Sequence, residues 1–79
     1  MVSERLKKVI LKVLKLGDFD LQGSTKAFQV PGWDSLSHVS ILSAIEKEYR
    51  IRFKISEVLS LNNLEDLQLL VNKKVENAV

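Results

Sequence analysis

The chain has 79 residues, of which 46% are hydrophobic and 28% are charged, and its formal net charge is +2. A chain of this length forms one domain, which we assign to residues 1–79, and buries about 60% of the surface of the unfolded chain. Such a small core has little room for a deep pocket, so we do not expect an enzyme. The absence of cysteine excludes disulfides and thiolate metal sites, and one histidine alone gives no metal site.

The sequence shows no sign of membrane insertion or export. No apolar run approaches the length that spans a bilayer, and the N-terminal MVSERLKKVI lacks the apolar core of a signal peptide. We therefore expect a cytoplasmic protein. Charge is unevenly distributed, because residues 1–16 carry five basic groups against one acid and residues 34–49 carry three acids against one lysine. A basic balance suits nucleic acid, although charge on small helices is more often a solvated face.

A first helix is predicted over residues 3–16, with Ser3 as its N-cap and Gly17 as its C-terminal stop. Its apolar residues recur at helical spacing: Val2, Leu6, Val9, Ile10, Val13 and Leu14. Residues 17–33 hold all three glycines and the only proline and therefore predict one long loop. Apolar residues within the loop predict that it is pinned across the core: Phe19, Leu21, Phe28, Val30 and Trp33.

A second helix is predicted over residues 35–49, with Asp34 as its N-cap. Its apolar residues follow one another at intervals of three or four: Leu36, Val39, Leu42, Ile45 and Tyr49. Three serines at a spacing of three form a small polar stripe along the same helix: Ser37, Ser40 and Ser43. That stripe is either plain surface, which is the commoner case, or a face that lets a partner approach closely.

The segment IRFKISEVLSL is ambiguous between strand and helix. Because no second strand is evident and one strand forms no sheet, we predict a short helix near residues 56–60, capped by Ser56. A last helix begins after the cap Asn63 and buries Leu64, Leu67, Val71 and Val75. The predicted fold class is all-α: a small four-helix bundle with three main helices, a short third helix and a long loop between helices one and two.

Ser35 stands where the long loop meets the second helix, in the segment GWDSL. A helix N-terminus favours an anion on the serine oxygen, and the end of a pinned loop exposes the side chain to an incoming enzyme. The neighbouring Asp34 can hold a cation near a phosphate. Taken alone, Asp-Ser before an apolar helical stripe is first of all a capping pattern.

The wider stretch from Gly32 to Leu67 resembles the acyl carrier protein family in the order and spacing of its motifs. The Asp-Ser-Leu motif of the family matches Asp34, Ser35 and Leu36. Downstream follow the apolar positions of the second helix, the acidic-aromatic helix end EKEY, the short helix SEVL and the polar cap and helix start NNLEDL. The resemblance is carried by about half of the chain.

The resemblance implies that a phosphopantetheinyl transferase attaches 4′-phosphopantetheine from coenzyme A to Ser35, in a site that includes Asp34 and Leu36. The thiol of this arm then holds acyl groups as thioesters. The chain presents them to acyl-loading and acyl-transfer or condensing enzymes of fatty-acid, polyketide or related specialised biosynthesis. The chain itself performs no chemistry, which is supplied by the cofactor and the partner enzymes.

The family docks to its partners mainly through the second helix. The resemblance therefore implies a docking face that includes Ser37, Ser40 and Glu46 beside the attachment motif. Typical fatty-acid carriers are strongly acidic along this helix, whereas this chain has serines and a histidine there, so electrostatic steering is expected to be weaker. This departure favours a stand-alone carrier of a specialised pathway. We expect a monomer, because a shuttle must dock to several enzymes.

The remaining distinctive side chains have ordinary structural interpretations. His38 lies on the same side of the helix as Ser35, and we interpret it as a surface or docking histidine because a Ser–His pair also needs an acid and an oxyanion site. Trp33 is interpreted as a loop anchor, and Tyr49 and Phe53 as core residues. An apolar acyl chain could lie between helices lined by residues whose default role is the core: Leu42, Ile45, Ile55 and Leu67.

Two other interpretations stay open at this point. The lysines of the first helix and a pI of about 9.0 are compatible with a small nucleic-acid-binding module. The acids of the second helix oppose phosphate contact, so we expect no nucleic-acid partner. The other interpretation is a protein-interaction module that has the carrier fold but lacks the modification.

Overall fold

The structure is a computed structural model that describes residues 2–17 and 19–77. For residues 28 and 77 it describes the backbone alone. The described residues form four α-helices, α1 (Glu4–Leu14), α2 (Ser35–Tyr49), α3 (Ile55–Leu59) and α4 (Leu64–Asn77), and a 3₁₀ turn at Ala27–Gln29. No strand occurs in this part of the chain, and the predicted all-α four-helix bundle is confirmed. None of these helices is long and apolar enough to cross a membrane.

The start of α1 was predicted correctly and its end was not. The Ser3 hydroxyl accepts a hydrogen bond from the Leu6 N–H at 3.2 Å, which confirms the N-cap. The helix ends at Leu14 instead of residue 16, because Lys15 adopts a left-handed conformation with φ of 57°. The N–H groups of Lys15 and Leu16 bond back to carbonyls of α1, so the helix terminates without the predicted glycine.

The core lies between the main helices and the long loop. Its buried side chains come from every main helix and from the loop: Val2, Leu6, Ile10, Leu21, Val30, Trp33, Ile41, Ile45, Ile51, Leu64, Leu67 and Val71. The predicted core residues Tyr49 and Phe53 pack against this cluster while partly buried. Most of the apolar residues that were predicted to form the buried faces of α1 and α4 therefore lie in the core or pack against it.

Three predicted apolar positions point away from this core. Leu36 and Val39 are 82% and 63% exposed, because α2 turns Ile41 and Ile45, four residues apart, toward the core instead. Val75, predicted to be buried, is 45% exposed near the end of α4. The predicted stripe of α2 is therefore only partly correct: Ile45 lies in the core, and Ile41, which was not part of the stripe, is buried where Val39 was expected.

The long loop is fixed across the core, as predicted. Leu21, Val30 and Trp33 are buried, and Phe19 packs against the cluster. The side chain of Phe28, the remaining predicted anchor, lies outside the described residues. The loop also contains the 3₁₀ turn, which the sequence pattern did not predict.

The first N–H groups of α4 hold the loop from the other side. The Leu64 N–H donates to the Thr25 carbonyl at 3.0 Å, and the Glu65 N–H donates to the Gly23 carbonyl at 2.9 Å. A Cβ atom on Gly23 would lie 3.2 Å from Glu65 Oε1, so glycine allows this close approach. These bonds satisfy donors that the start of a helix otherwise leaves unpaired.

The short helix α3 begins one residue earlier than predicted, and Ser56 is not its cap. Lys54 precedes the helix, and its N–H donates to Glu57 Oε1 at 2.8 Å, so the glutamate closes the first turn. The predicted cap of α4 is confirmed, since Asn63 Oδ1 accepts from the Asp66 N–H at 2.9 Å.

Gln68 is the one buried polar side chain in the described part of the chain. Its Oε1 accepts from the Ser3 N–H at 2.8 Å, and its Nε2 donates to Asn72 Oδ1 at 2.8 Å. Gln68 therefore fastens the beginning of the chain to α4 while keeping its own amide satisfied.

Candidate functional site

A tight turn brings the chain to the start of α2. Gly32 has φ of 82°, Pro31 precedes it, and the Trp33 N–H donates to the Val30 carbonyl at 3.1 Å, which are the features of a type II turn. Trp33 is only 4% exposed, which confirms it as the loop anchor. Because Trp33 is fixed in the core, the following residues leave the loop at the protein surface.

Asp34 caps α2, as predicted. Its Oδ1 accepts from the Ser37 N–H at 2.8 Å, and its backbone carbonyl accepts from the His38 N–H at 2.8 Å. The hydrogen bonds from the Ser37 N–H, above all, and from the Ser37 hydroxyl hold the pKa of the Asp34 carboxyl below its ordinary value. Asp34 is therefore ionised at neutral pH, and it places a negative charge next to Ser35.

Ser35 is the first residue of α2 and is exposed. Within the described residues no hydrogen bond engages its hydroxyl, whereas the Ser37 hydroxyl bonds to Asp34. The N–H groups of the first turn and the helix dipole favour an anion at this position. A reachable hydroxyl at a helix start fits a phosphodiester, and the assignment of Ser35, Asp34 and Leu36 to the attachment site stays a prediction at this point.

His38 is more deeply engaged than a surface histidine. Trp33 Nε1–H donates to His38 Nδ1 at 3.1 Å, and the two ring centroids are 6.1 Å apart. A ring nitrogen that accepts a hydrogen bond carries no proton, so the lone pair of Nδ1 faces the indole. The side chain is half-buried and ties α2 to the loop, a structural role that the interpretation as a surface or docking histidine did not include. The pair spans five residues across a helix boundary, where helical periodicity gives no signal.

A cavity of about 670 Å³ lies next to this pair, between the loop, α2, α3 and α4. Leu42 and Leu67 line it, as predicted for the space between the helices that an acyl chain would occupy. The other two predicted lining residues do not: Ile45 is fully buried in the core, and Ile55 is 81% exposed on α3. Ile55 instead lines a separate groove of about 300 Å³ between α2 and α3.

The three predicted docking residues all lie on α2 but differ in their surroundings. Ser40 is exposed, and Ser37 is half-buried against the helix start. Glu46 is half-buried, and its Oε2 accepts from the Phe53 N–H at 2.8 Å, so one carboxylate oxygen is used within the fold. Their docking roles stay predictions. In the described part of the chain, no three acidic or histidine side chains are grouped so as to hold a metal ion.

Comparison with known proteins identifies the family. A family model described as a phosphopantetheine attachment site matches residues 4–68. The structure is similar to the solution NMR structure of the holo acyl carrier protein from Geobacter metallireducens, with a TM-score of 0.86 and 33% sequence identity over 92% of this chain and 84% of that chain. The chain therefore belongs to the acyl carrier protein family, whose members are carriers with a covalent 4′-phosphopantetheine rather than enzymes.

Proposed function

We propose that Ser35 is the residue to which 4′-phosphopantetheine is attached, and that the chain carries acyl groups as thioesters on this arm. The observation that carries the proposal is the exposed hydroxyl of Ser35, which no described group bonds, at the first position of α2 directly after the capping Asp34. The Asp-Ser-Leu sequence at this position matches the motif of the family.

The surrounding residues have distinct roles in this proposal. Trp33 fixes the end of the loop, and Asp34 fixes the first turn of α2, so the Ser35 oxygen is held outside the protein surface. The first-turn N–H groups stabilise the negative charge of a phosphodiester there, and the ionised Asp34 attracts a cation that offsets the two neighbouring anions. When bound, the arm supplies the reactive thiol that a chain without cysteine lacks.

We further propose which proteins the carrier meets. A phosphopantetheinyl transferase, acyl-loading enzymes and acyl-transfer or condensing enzymes approach the exposed start of α2, where Leu36 is 82% exposed. Ser37, Ser40 and Glu46 belong to this docking face. Residues 1–79 act as one carrier domain, as a monomer in the cytoplasm, in fatty-acid, polyketide or related specialised biosynthesis.

Intact-mass measurement after incubation with coenzyme A, magnesium and a promiscuous transferase tests the proposal. We expect a gain of one phosphopantetheine group in the wild-type chain and none in the variant Ser35→Ala. The matched control Ser24→Ala replaces an exposed serine of the long loop, outside the docking face, and should be modified like the wild type. No gain in the wild type, alongside a known carrier that is modified, would contradict the proposal.

A further inference from the structure

The acidic side chains near the C-terminal end of α2 and on α3 make hydrogen bonds or ion pairs within the fold. Glu46 accepts from the Phe53 N–H, Glu48 pairs with Arg5 at 2.8 Å, and Glu57 pairs with Lys74 at 2.8 Å. A cation therefore offsets the charge of Glu48 and of Glu57, while one oxygen of the Glu46 carboxylate is engaged by a backbone N–H. The negative field that the sequence suggests for the end of α2 is weakened at the surface.

The basic side chains in the same region have no such partners. Lys47, Arg50 and Arg52 are exposed, and together with Ser43 and Glu46 they line a depression of about 490 Å³ at the C-terminal end of α2. No hydrogen bond or ion pair engages these three basic side chains among residues 2–17 and 19–77. This end of α2 therefore presents a positive surface.

An apolar groove adjoins the basic depression. Val39 on α2 and Ile55 and Leu59 on α3 line the groove of about 300 Å³ and are 63%, 81% and 79% exposed. The groove and the basic depression share Ser43 and Glu46 in their linings, so the two are continuous. Three exposed apolar side chains around one groove form a contiguous apolar patch, which is typical of an interaction surface.

We propose that partner enzymes dock on this combined surface through a protein segment that presents apolar side chains and carboxylates. The apolar side chains fit the groove between α2 and α3, and the carboxylates face Lys47, Arg50 and Arg52. A flat bilayer does not fill a groove, and nucleic acid brings no apolar side chains. A protein segment therefore matches both the apolar groove and the basic depression. The inference rests on the proposed function, because the partners are the enzymes that load and unload the carrier. The partner surface has the charge opposite to that expected for carriers with an acidic second helix.

Two synthetic amphipathic peptides serve as probes, one with leucine and glutamate faces and one with leucine and lysine faces. In an NMR titration of the isotopically labelled chain, the glutamate peptide should shift amides of residues 39–59 and bind more weakly as salt is raised. The variant Arg50→Glu/Arg52→Glu should weaken binding about tenfold, as expected for the loss of two exposed ion pairs. Lys47→Glu alone should cause a smaller loss of the same sign. The matched control Lys8→Glu/Lys12→Glu on α1 should leave binding unchanged.

The variant Ser35→Ala should bind the glutamate peptide like the wild type, which separates this inference from the attachment of the arm. If the wild-type chain is not modified by the transferase but still binds the glutamate peptide, only the proposed function is contradicted. The docking inference is overturned if the glutamate peptide does not bind or if the lysine peptide binds equally well. It is also overturned if the α1 control abolishes binding, or if anionic vesicles or a DNA duplex compete for the same amides.

Discussion

Replacing His38 with alanine tests the hydrogen bond that ties the start of α2 to the loop. The substitution removes the only described acceptor of the Trp33 indole N–H, while the indole itself stays in the core at 4% exposure. We expect His38→Ala to lower the free energy of unfolding, because a buried donor without a partner loses its compensation for desolvation.

The size of the loss follows from the surroundings of the indole. A buried donor left unpaired costs about 1–3 kcal/mol. The cavity of about 670 Å³ beside Trp33 is large enough to admit water, which can bond the freed N–H. We therefore expect a loss near the lower end, about 1 kcal/mol, which corresponds to a fall in Tm of about 4–8 °C for a domain of this size.

Thermal denaturation followed by far-UV circular dichroism of the helices measures this loss, and it can still be read when the single tryptophan is replaced. The control Val39→Ala changes the next residue, which is 63% exposed, and should change stability by less than about 0.5 kcal/mol. A double-mutant cycle isolates the bond, because His38→Ala should cost little in a Trp33→Phe background that lacks the donor. An equal loss in both backgrounds would refute the assignment of the stabilisation to this hydrogen bond.

Three further predictions concern the fold that supports the site. Ile45→Ala should destabilise the protein by about 2–5 kcal/mol in urea denaturation, and Leu36→Ala by less than about 0.5 kcal/mol; equal losses would mean that α2 faces the core differently. Gln68→Ala should cost about 1–3 kcal/mol by leaving the Ser3 N–H unpaired, and a neutral result would show that this bond is dispensable. The Lys74 hydrogen bond lowers the pKa of Glu57, so its stabilisation is present above the ordinary carboxyl pKa of about 4.3 and is lost as the pH falls through the lower folded value. Lys74→Ala should flatten this acid-induced loss of stability measured across the pH range, whereas a similar effect of the exposed neighbour Lys73→Ala would exclude the specific pair.

Local chemistry in the sequence predicted much of the fold. The caps Ser3, Asp34 and Asn63 each make the expected hydrogen bond, because a cap depends only on residues within the first turn. The exposed position of Ser35 followed from the same logic, since a helix start after an anchored loop places its first side chain outside. The family motif then distinguished this serine from the other serines of α2.

Features that depend on tertiary contacts were missed. Two apolar stripes overlap on α2, and the choice of Ile41 over Val39 for the core is made by packing against the rest of the bundle. The left-handed Lys15 that ends α1 carries no glycine signal. The bond between Trp33 and His38 crosses a helix boundary, and the carboxylate of Glu46 bonds a backbone N–H beyond the end of its helix. These partners become evident only when the chain is folded.

The identity of the modified serine is the central claim. After reaction with coenzyme A and a transferase, tryptic cleavage releases the peptide of residues 27–47, which contains four serines: Ser35, Ser37, Ser40 and Ser43. Fragmentation of this peptide in a mass spectrometer localises the phosphopantetheine group. The account predicts that the group is on Ser35 alone, and its presence on another serine, or on none, would contradict it.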